Sequence, residues 1–304
     1  MSGPYPKGSP ERRGTLAAFA TYAMWGLFPL YWKLLAAVDP IQILCHRVVW
    51  SMAFLLALLA ASRRLGDFIS VFRSGKRAVA VAASGLLITA NWGIYILAIN
   101  TGRVSESSLG YFINPLLSVA LGAFLFRERL DRWTVSAVGI AGVGVAVASI
   151  MMGRLPWMSL ALGATSALYG AIKKGTGLDP IAGLGAETLV VTPLAIAWLA
   201  LEHRAGRGAF GGLGAGIDIL LIGGGVVTAM TYLVFAYATN SISLQRMGFI
   251  QYLSPSIQFV LSLFVYREGL TAPRAVAFAS VIAAVVIYSA TRRARSDKRA
   301  ASAG

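Results

Sequence analysis

Residues 108–130 read SLGYFINPLLSVALGAFLFRERL, and the chain contains a second version of this stretch. At an offset of 140 residues Pro115 falls on Pro255. The same offset places the Asp-Pro-Ile triplet at 39–41 on an identical triplet at 179–181. Self-similarity at one fixed offset is the signature of an internal repeat. We therefore expect two half-chains of about 140 residues that share a fold.

The composition identifies the surroundings of these halves as a lipid bilayer. Hydrophobic residues make up 57% of the chain and charged residues 13%, whereas soluble domains are about 45–50% apolar and about 25% charged. The apolar residues form runs of roughly 20, the length that a helix needs to cross a bilayer. Open strands cannot satisfy their backbone groups there, so we predict an all-α membrane protein with ten transmembrane helices. They lie at residues 14–36, 41–61, 78–99, 104–126, 133–151, 157–173, 181–201, 217–238, 243–265 and 273–291.

The repeat and the spans divide the chain into four segments. A disordered N-terminal tail is expected at 1–13, where prolines alternate with polar residues. A first five-helix repeat follows at 14–151, and a second five-helix repeat at 152–291. Residues 292–304 form a basic tail.

The net charge of +15 indicates membrane topology. In a soluble protein it would suggest a nucleic-acid partner, but here the cations lie between apolar runs and in the tails. With the N-terminus inside, one alternating set of segments holds 19 lysines and arginines and the opposite set holds 6. Because cations are retained on the cytoplasmic side during insertion, we predict that both termini are cytoplasmic and expect no nucleic-acid partner.

The number of spans in each half predicts an inverted arrangement. Five is odd, so the second half must cross the membrane in the opposite sense to the first. Arg127 would then face the cytoplasm, and its counterpart Arg267 would face the outside. In secondary transporters such inverted repeats enclose a site near the midplane that opens to each side in turn. The alternative is that the duplication only builds a stable helical bundle.

Polar side chains inside the apolar spans predict the lining of an enclosed site, because a polar group that faces lipid is costly. Two spans at offset 140 each carry a polar stripe at i, i+3 and i+7, which is one face of a helix. The stripes are Tyr111, Asn114 and Ser118 on the fourth span, and Gln251, Ser254 and Gln258 on the ninth. Hydrogen bonding between helices is the alternative role. Pro115 and Pro255 adjoin the stripes, and since proline can kink a helix, we predict a hinge or gate there.

Aromatic residues adjoin the same region. The third span presents Asn91, Trp92 and Tyr95, and the eighth span presents Tyr232 at the position equivalent to Trp92. Aromatic walls suit a flat or amphipathic organic solute, and they also suit a cation. Ordinary packing is the alternative for each of these side chains.

Arg47 and Glu187 are charged residues well inside spans, at equivalent positions of the two halves. A charge in an apolar span needs a partner or a task. Inversion separates the two by about 12 Å of depth in a core ~30 Å thick, so we do not expect a direct salt bridge. We predict that Arg47 meets an anionic substrate group and that Glu187 carries a proton or a cation, with pairing to other helices as the alternative. His46 is a second candidate for proton coupling, because histidine titrates near neutral pH, or else a hydrogen-bonded structural residue.

Signals of catalysis are weak. Gly206, Gly208 and Gly211 match a dinucleotide fingerprint by letter, but no strand precedes them, so we attribute the match to chance. The chain has no HExxH motif for a zinc protease. Cys45 is its only cysteine, which excludes an internal disulfide and a cysteine metal cluster. We predict no enzymatic activity, no catalytic residue, no cofactor and no metal.

Four motifs carry a resemblance to a known family. They are His46-Arg47-Val48-Val49-Trp50-Ser51, Asn91-Trp92-x-x-Tyr95, Leu109-Gly110-Tyr111-Phe112-Ile113-Asn114-Pro115 and Gly248-Phe249-Ile250-Gln251-Tyr252. Together they resemble the RarD branch of the bacterial EamA family, in the drug/metabolite transporter superfamily. The resemblance implies a multi-pass permease of the cell inner membrane, built from two five-helix EamA repeats.

The candidate substrate-binding residues combine the stripes, the aromatic residues, the charges and the last motif. They are Arg47, Asn91, Trp92, Tyr95, Tyr111, Asn114, Glu187, Tyr232, Gln251, Tyr252 and Gln258. We expect a secondary transporter, a permease or exporter, that moves a small organic metabolite or drug by alternating access. Its partners would be a small-molecule substrate and the lipid bilayer, with a homodimer left open. The alternatives are a non-transporting membrane protein, such as a lipid scramblase or receptor, and an intramembrane enzyme.

Overall fold

The computed structural model describes residues 10–126, 132–176, 178, 180–242, 247 and 250–302. Within these ranges the chain is all-α, with eleven α-helices, a 3₁₀ turn at Val71–Arg73 and no β-strand. The helices are α1 (Pro10–Lys33), α2 (Pro40–Ala61), α3 (Leu65–Ser70), α4 (Gly75–Asn100), α5 (Val104–Phe126), α6 (Arg132–Met152), α7 (Trp157–Thr176), α8 (Pro180–Arg204), α9 (Ala215–Ser241), α10 (Leu253–Phe264) and α11 (Ala272–Ser302).

Six helical stretches of the described chain are long and apolar enough to cross a membrane. They are Pro40–Ala61, Gly75–Asn100, Arg132–Met152, Ile181–Arg204, Ala215–Phe235 and Ala272–Ala290. The protein is therefore an all-helical, multi-pass membrane protein, as its composition predicts. Helices α1, α5 and α7 also coincide with predicted spans, but they lie outside this set. Each of them carries charged residues, such as Glu106 in α5 and Lys173 in α7.

The helix bounds depart from the predicted spans at the chain ends. Helix α1 begins at Pro10, inside the segment predicted as a tail. Helix α11 runs on to Ser302, through most of the predicted basic tail. Helix α3 was not predicted, because its six residues are too few to show a hydrophobic period.

The ninth span, predicted at 243–265, is described as a helix only over α10. Residues 243–246, 248 and 249 lie outside the described residues. The same holds for two parts of the repeat, residues 127–130 and 179.

The start of α2 shows how the repeated Asp-Pro-Ile triplet acts locally. The Asp39 carboxylate accepts hydrogen bonds from the backbone N–H groups of Ile41 at 2.9 Å and Gln42 at 3.3 Å. Pro40 occupies the first position of the helix, where its missing N–H would have had no partner. An aspartate N-cap typically stabilises a helix by about 1 kcal/mol. These two residues therefore fix where the second helix begins.

Two glycines allow the central helices to approach closely. A Cβ on Gly85 of α4 would lie 2.6 Å from the carbonyl oxygen of Glu187 on α8. A Cβ on Gly225 of α9 would lie 2.6 Å from the backbone nitrogen of Ser51 on α2. Small residues of this kind are typical where membrane helices touch. They bring α4 against α8 and α2 against α9.

The helices pack mainly across the two halves of the chain. Helix α1 packs on α9 and α10, and α4 packs on α7 and α8. Helix α2 packs on α8 and α9, α5 packs on α7 and α10, and α6 packs on α11. One apolar cluster, which includes Phe112 and Val281, joins α5, α6 and α11. A second cluster, which includes Ile96 and Leu221, lies around α1, α4 and α9.

Helices α6 and α11 carry apolar side chains on their exposed faces. Val143 and Ile150 on α6, and Val286 on α11, are largely exposed. Exposed apolar faces of this extent are suited to contact with lipid. The remaining long helices surround the interior of the bundle.

Candidate functional site

A cavity of about 470 Å³ lies between helices contributed by both halves of the chain. Helices α1, α2, α4 and α5 contribute from the first half, and α7, α8, α9 and α10 contribute from the second. Pockets of this size suit small organic ligands. The lining residues are Tyr22, Trp25, Phe28, Arg47, Ile88, Asn91, Trp92, Tyr95, Tyr111, Asn114, Ser166, Tyr169, Gly170, Lys173, Leu178, Leu184, Tyr232, Phe235, Gln251, Ser254, Pro255 and Gln258.

The cavity brings together most of the candidate substrate residues. Those on its wall are Arg47, Asn91, Trp92, Tyr95, Tyr111, Asn114, Tyr232, Gln251 and Gln258. Glu187, His46 and Tyr252 are not on the wall. Pro255 lines the cavity, whereas Pro115 does not.

Arg47 is buried on the cavity wall, with 3% of its surface exposed. Its guanidinium carbon lies 4.2 Å from the ring centre of Trp92 and 5.1 Å from that of Trp32. Its Nε and Nη1 atoms have no hydrogen-bond partner among the described residues. No described carboxylate forms a salt bridge with it. Two aromatic rings thus hold the guanidinium in place and leave its charge uncompensated.

Asn91 both lines the cavity and ties three helices together. Its Nδ2 lies 3.0 Å from the Leu162 carbonyl oxygen and 2.8 Å from Thr165 Oγ1, both on α7. Its Oδ1 accepts a hydrogen bond of 3.2 Å from the Tyr111 hydroxyl on α5. The side chain of Asn91 therefore both lines the cavity and forms hydrogen bonds between helices.

Gln258 has a similar double position on α10. Its Oε1 accepts a hydrogen bond of 3.0 Å from Ser107 Oγ on α5. Its Nε2 donates to Ser254 Oγ at 3.2 Å and to the Trp25 carbonyl oxygen at 3.4 Å. With 1% of its surface exposed, the amide is largely occupied by protein partners.

Glu187 is buried behind the wall and is held by three groups. It forms a salt bridge of 2.9 Å with Lys173 Nζ. It also accepts hydrogen bonds from Tyr169 Oη at 3.0 Å and from Ser84 Oγ at 2.8 Å. Both Lys173 and Tyr169 line the cavity, so Glu187 reaches the site through them. Its described cation is Lys173 and not Arg47.

His46 and Tyr252 lie against aromatic residues away from the cavity. The His46 ring stacks on Phe210, with 5.4 Å between ring centres. The Tyr252 ring stacks on Phe112 at 6.2 Å and packs against the cluster of α5, α6 and α11.

The two prolines differ in their surroundings. Pro115 lies inside α5, where it removes the hydrogen bond to the carbonyl oxygen of Tyr111. Pro255 lies in the first turn of α10, where a missing N–H costs no bond within the helix. The Pro255 carbonyl oxygen accepts a hydrogen bond of 2.7 Å from Ser108 Oγ on α5.

Hydrogen bonds join the two halves at the end of the bundle that contains Lys33, which we call the Lys33 end. There Glu268, in the connection after α10, accepts hydrogen bonds from the Val104 and Ser105 N–H groups at the start of α5. A carboxylate at a helix N-terminus satisfies unpaired N–H groups and complements the helix dipole. The Tyr266 hydroxyl beside it donates to the Pro29 carbonyl oxygen on α1. These bonds join the first half of the chain to the second.

Other contacts at the Lys33 end repeat this pattern. The Tyr31 hydroxyl donates to the Leu220 carbonyl oxygen at 2.6 Å. The Gln42 amide donates to the Arg207 carbonyl oxygen at 2.9 Å and accepts from the Ala209 N–H at 2.8 Å. Most partners are backbone groups, so a shift of either half would break several bonds together.

At the opposite end, which we call the Lys173 end, the lining continues to the helix termini. Gly170 and Lys173 in the last turns of α7 line the cavity, as does Leu178 in the connection to α8. The side chain of Lys173 is 28% exposed. The lining therefore extends toward the Lys173 end, whereas hydrogen bonds between the two halves lie at the Lys33 end.

Sequence reasoning missed Lys173, Tyr169 and the aromatic residues of α1. Lys173 ends the predicted sixth span and was counted among the cations that set topology, although it is the partner of Glu187. Tyr22 and Trp25 lie on one face of α1 and pack at 5.3 Å between ring centres. Their i, i+3 spacing is a signal that could have found them.

Comparisons with known proteins identify the family of the chain. Residues 12–150 match the EamA-like transporter family. The chain is 39% identical to Protein RarD of Streptomyces exfoliatus over 290 residues. The aligned region covers 95% of this chain and 92% of that protein. The chain is 36% identical over 282 residues to an uncharacterized transporter of Bacillus subtilis, YojE, with 91% and 94% covered.

A solved structure, described only as the crystal structure of a protein, superposes with a TM-score of 0.59. The superposition covers 92% of this chain and 97% of the matched chain. Because the two sequences are only 17% identical, the similarity concerns the fold alone. The identities to the named relatives extend over nearly the whole chain. The chain therefore belongs to the EamA-like transporter family of the drug/metabolite transporter superfamily, as a RarD-like member.

Proposed function

We propose that the protein is a secondary transporter of a small organic solute, working by alternating access of two inverted five-helix halves. The observation that carries the proposal is a cavity lined by both halves, whose lining extends to the Lys173 end while hydrogen bonds join the halves at the Lys33 end. A site that faces one side in one conformation and the other side in a second is what alternating access requires.

The helix packing supports the inverted repeat. At offset 140, α1, α2, α4, α5 and α6 correspond to α7, α8, α9, α10 and α11. The packing of α1 on α9 then becomes the packing of α7 on α4, and that of α1 on α10 becomes that of α7 on α5. The pairs α2 with α8, α5 with α10 and α6 with α11 map onto themselves. Trp92 donates a hydrogen bond to Tyr232, its own equivalent, at 3.3 Å.

The charge distribution supports an orientation. Lysines and arginines favour a cytoplasmic position for both termini, in the cell inner membrane. Helix α1 ends at the Lys33 end, so this end would face outward and the Lys173 end would face the cytoplasm. The conformation described above would then be open toward the inside.

Substrate contact is assigned to the candidate residues on the cavity wall. These are Arg47, Asn91, Trp92, Tyr95, Tyr111, Asn114, Tyr232, Gln251 and Gln258. Pro115 and Pro255 are assigned to hinges, and Glu187 to proton coupling through its bond with Lys173. The Bacillus subtilis relative is named as a transporter, and the matching family model is that of EamA-like transporters, which favours transport over catalysis.

The proposal is tested with purified protein and with proteoliposomes. A thermal-shift screen against metabolites and antibiotics, with Arg47→Gln as the control, identifies solutes that stabilise the wild-type protein more than the variant. Each such solute is then tested for counterflow across the liposome membrane. We expect at least one to exchange faster than in liposomes without protein. Movement of labelled lipid between leaflets, with no solute exchange, would indicate a scramblase instead.

A further inference from the structure

We infer that the cavity takes an organic anion, whose carboxylate or phosphate group binds at Arg47 while its apolar body lies among the aromatic side chains. This inference rests on the proposed function, because it assigns a substrate class to the same cavity. It is carried by the charges, the unused hydrogen-bond donors and the shape of the site.

The charges of the described wall do not cancel. Arg47 and Lys173 are its two cations, and no aspartate or glutamate is among the described lining residues. Lys173 is paired with Glu187 at 2.9 Å, so this pair is neutral as a whole. Arg47 keeps a net positive charge inside the bundle. An anion would compensate this charge, and an organic cation would be repelled by it.

Hydrogen-bond donors without partners collect around the same residue. Within the described part of the chain, no group accepts from Arg47 Nε, Arg47 Nη1 or Trp32 Nε1, and the Tyr95 hydroxyl has no partner. These side chains come from α2, α1 and α4, and each is more than nine-tenths buried. Buried donors normally find acceptors. Of these three residues Arg47 and Tyr95 line the cavity, so an oxyanion bound beside them would supply an acceptor.

The guanidinium of Arg47 favours an oxyanion that can accept two parallel hydrogen bonds. Trp92 and Trp32 lie over the guanidinium of Arg47, so a ligand in the cavity would have to approach the N–H groups at its edge. The planar arrangement of these groups matches a carboxylate or phosphate, with two parallel hydrogen bonds.

The rest of the wall suits an apolar body. Trp25 packs against Tyr232 at 5.4 Å and against Phe235 at 5.2 Å between ring centres. These rings line the cavity together with Tyr22. Flat apolar groups pack well on such surfaces. The ligand is therefore expected to have an acidic group at one end and a ring or short apolar chain at the other.

The test compares four probes that share one phenylalkyl body. They are 3-phenylpropanoate, 2-phenylethyl phosphate, the neutral 3-phenylpropanamide and the cationic 3-phenylpropylamine. Binding to the purified full-length protein is measured by titration calorimetry at pH 7 in one detergent. We expect both anions to bind about tenfold more tightly than the amide, since charge-assisted pairs exceed neutral hydrogen bonds. The amine should bind most weakly.

Variants of Arg47 separate binding from structure. In Arg47→Gln we expect the two anions to fall to the affinity of the amide, while the affinity for the amide itself stays within about twofold. Arg47→Lys should keep an intermediate preference for anions, because the charge remains and the planar fork is lost. Size-exclusion profiles and melting temperatures confirm that each variant is folded.

Several outcomes would overturn the inference. The first is that the amide and the carboxylate bind equally well to the wild-type protein. The second is that Arg47→Gln still prefers anions. The third is that neither anion binds. A purely structural Arg47 would instead weaken all probes by a similar factor. Counterflow of labelled 3-phenylpropanoate is measured separately. Binding without counterflow counts against transport, whereas counterflow of solutes without an anion preference counts against the anion site.

Discussion

Arg47 occupies an apolar helix at a cost in stability. An arginine at the centre of a membrane helix is unfavourable by about 2.5–3.5 kcal/mol on insertion scales. Contacts with aromatic rings return roughly 0.5–2 kcal/mol each, and Arg47 has two of them. The rings offset the cost without neutralising the charge. This balance is typical of a residue that is kept for a ligand.

Glu187 is the residue at which we predict a link between transport and pH. If transport is coupled to protons at Glu187, uptake of a proton there would remove its salt bridge with Lys173. We therefore expect counterflow by the wild-type protein to change with pH, and counterflow by Glu187→Gln to be nearly independent of it. The measurement is the initial exchange rate in proteoliposomes at a series of pH values, for the wild type and for Glu187→Gln.

The control for this prediction is Asp67→Asn, which removes an exposed carboxylate paired with Arg64. Exposed pairs of this kind contribute about 0–1 kcal/mol, so the pH profile should stay that of the wild type. An unchanged profile in Glu187→Gln would assign Glu187 to structure alone.

The sequence pattern identifies buried charges but not their partners. Arg47 and Glu187 stand out because both interrupt apolar runs at equivalent positions of the repeat. Lys173 does not stand out, because it sits where a span ends and resembles a topology signal. Helical spacing likewise places Tyr111 on one face, yet its bond to Asn91 joins two helices and depends on how they pack.

Helix contacts depend on small residues at a few points, of which Gly85 is one. We predict that Gly85→Ala lowers stability by about 1–3 kcal/mol, because the new Cβ would lie 2.6 Å from the Glu187 carbonyl oxygen. The matched control is Gly142→Ala on α6, where a Cβ meets nothing within 4 Å. Alanine there should be neutral or stabilising by up to ~1 kcal/mol. The measurement is the apparent melting temperature in detergent, and equal shifts in both variants would contradict the close contact of α4 and α8.

The connection after α10 is predicted to hold the Lys33 end closed. In Glu268→Ala the N–H groups of Val104 and Ser105 lose their acceptor, so the start of α5 should open more often. Val104 is fully buried. A cysteine placed at this position, in a Cys45→Ser background, should therefore be labelled faster when Glu268→Ala is added than when Glu268 is kept.

The control for closure is Asp218→Asn. Asp218 lies at the same end of the bundle and accepts a local hydrogen bond of 2.9 Å from the Gly211 N–H. Its replacement should leave the labelling rate unchanged. A labelling rate in Glu268→Ala no higher than in this control would show that the cap does not limit opening.

Element bounds follow from local chemistry in some places and not in others. The Asp39-Pro40 pair begins α2 through a cap that involves neighbours in sequence, so short-range rules are sufficient there. Helix α3, by contrast, has only six residues, which are too few to show a hydrophobic period from which its bounds could be predicted.

The repeat makes a prediction for the molecule as a whole, which is the sidedness of equivalent positions. In a Cys45→Ser background, single cysteines are introduced at Arg127 and Arg267 and labelled with a membrane-impermeant maleimide in intact and permeabilised cells. We expect Arg267→Cys to react in intact cells and Arg127→Cys to react only after permeabilisation, because an odd number of spans separates them. Reaction of both from one side would exclude inverted halves.

The all-helical membrane fold could be predicted from the sequence because composition and run length report directly on the solvent. The pairing of helices across the halves could not, because it depends on side-chain fit between distant segments. Gly225 illustrates this point, since its contact with Ser51 of α2 leaves no trace in hydropathy. The offset of the repeat indicates which helices are equivalent, and packing decides which of them touch.

The indole rings of Trp32 and Trp92 lie against the guanidinium of Arg47, a buried cation with no described counter-ion. Tryptophan fluorescence responds to the charge and polarity around the indole ring. A ligand that displaces Arg47 would therefore be expected to change the fluorescence of Trp32 and Trp92. The protein thus carries a built-in optical reporter of occupancy. Substituting phenylalanine for either ring would dim the signal, and no dye would be needed to follow loading in real time.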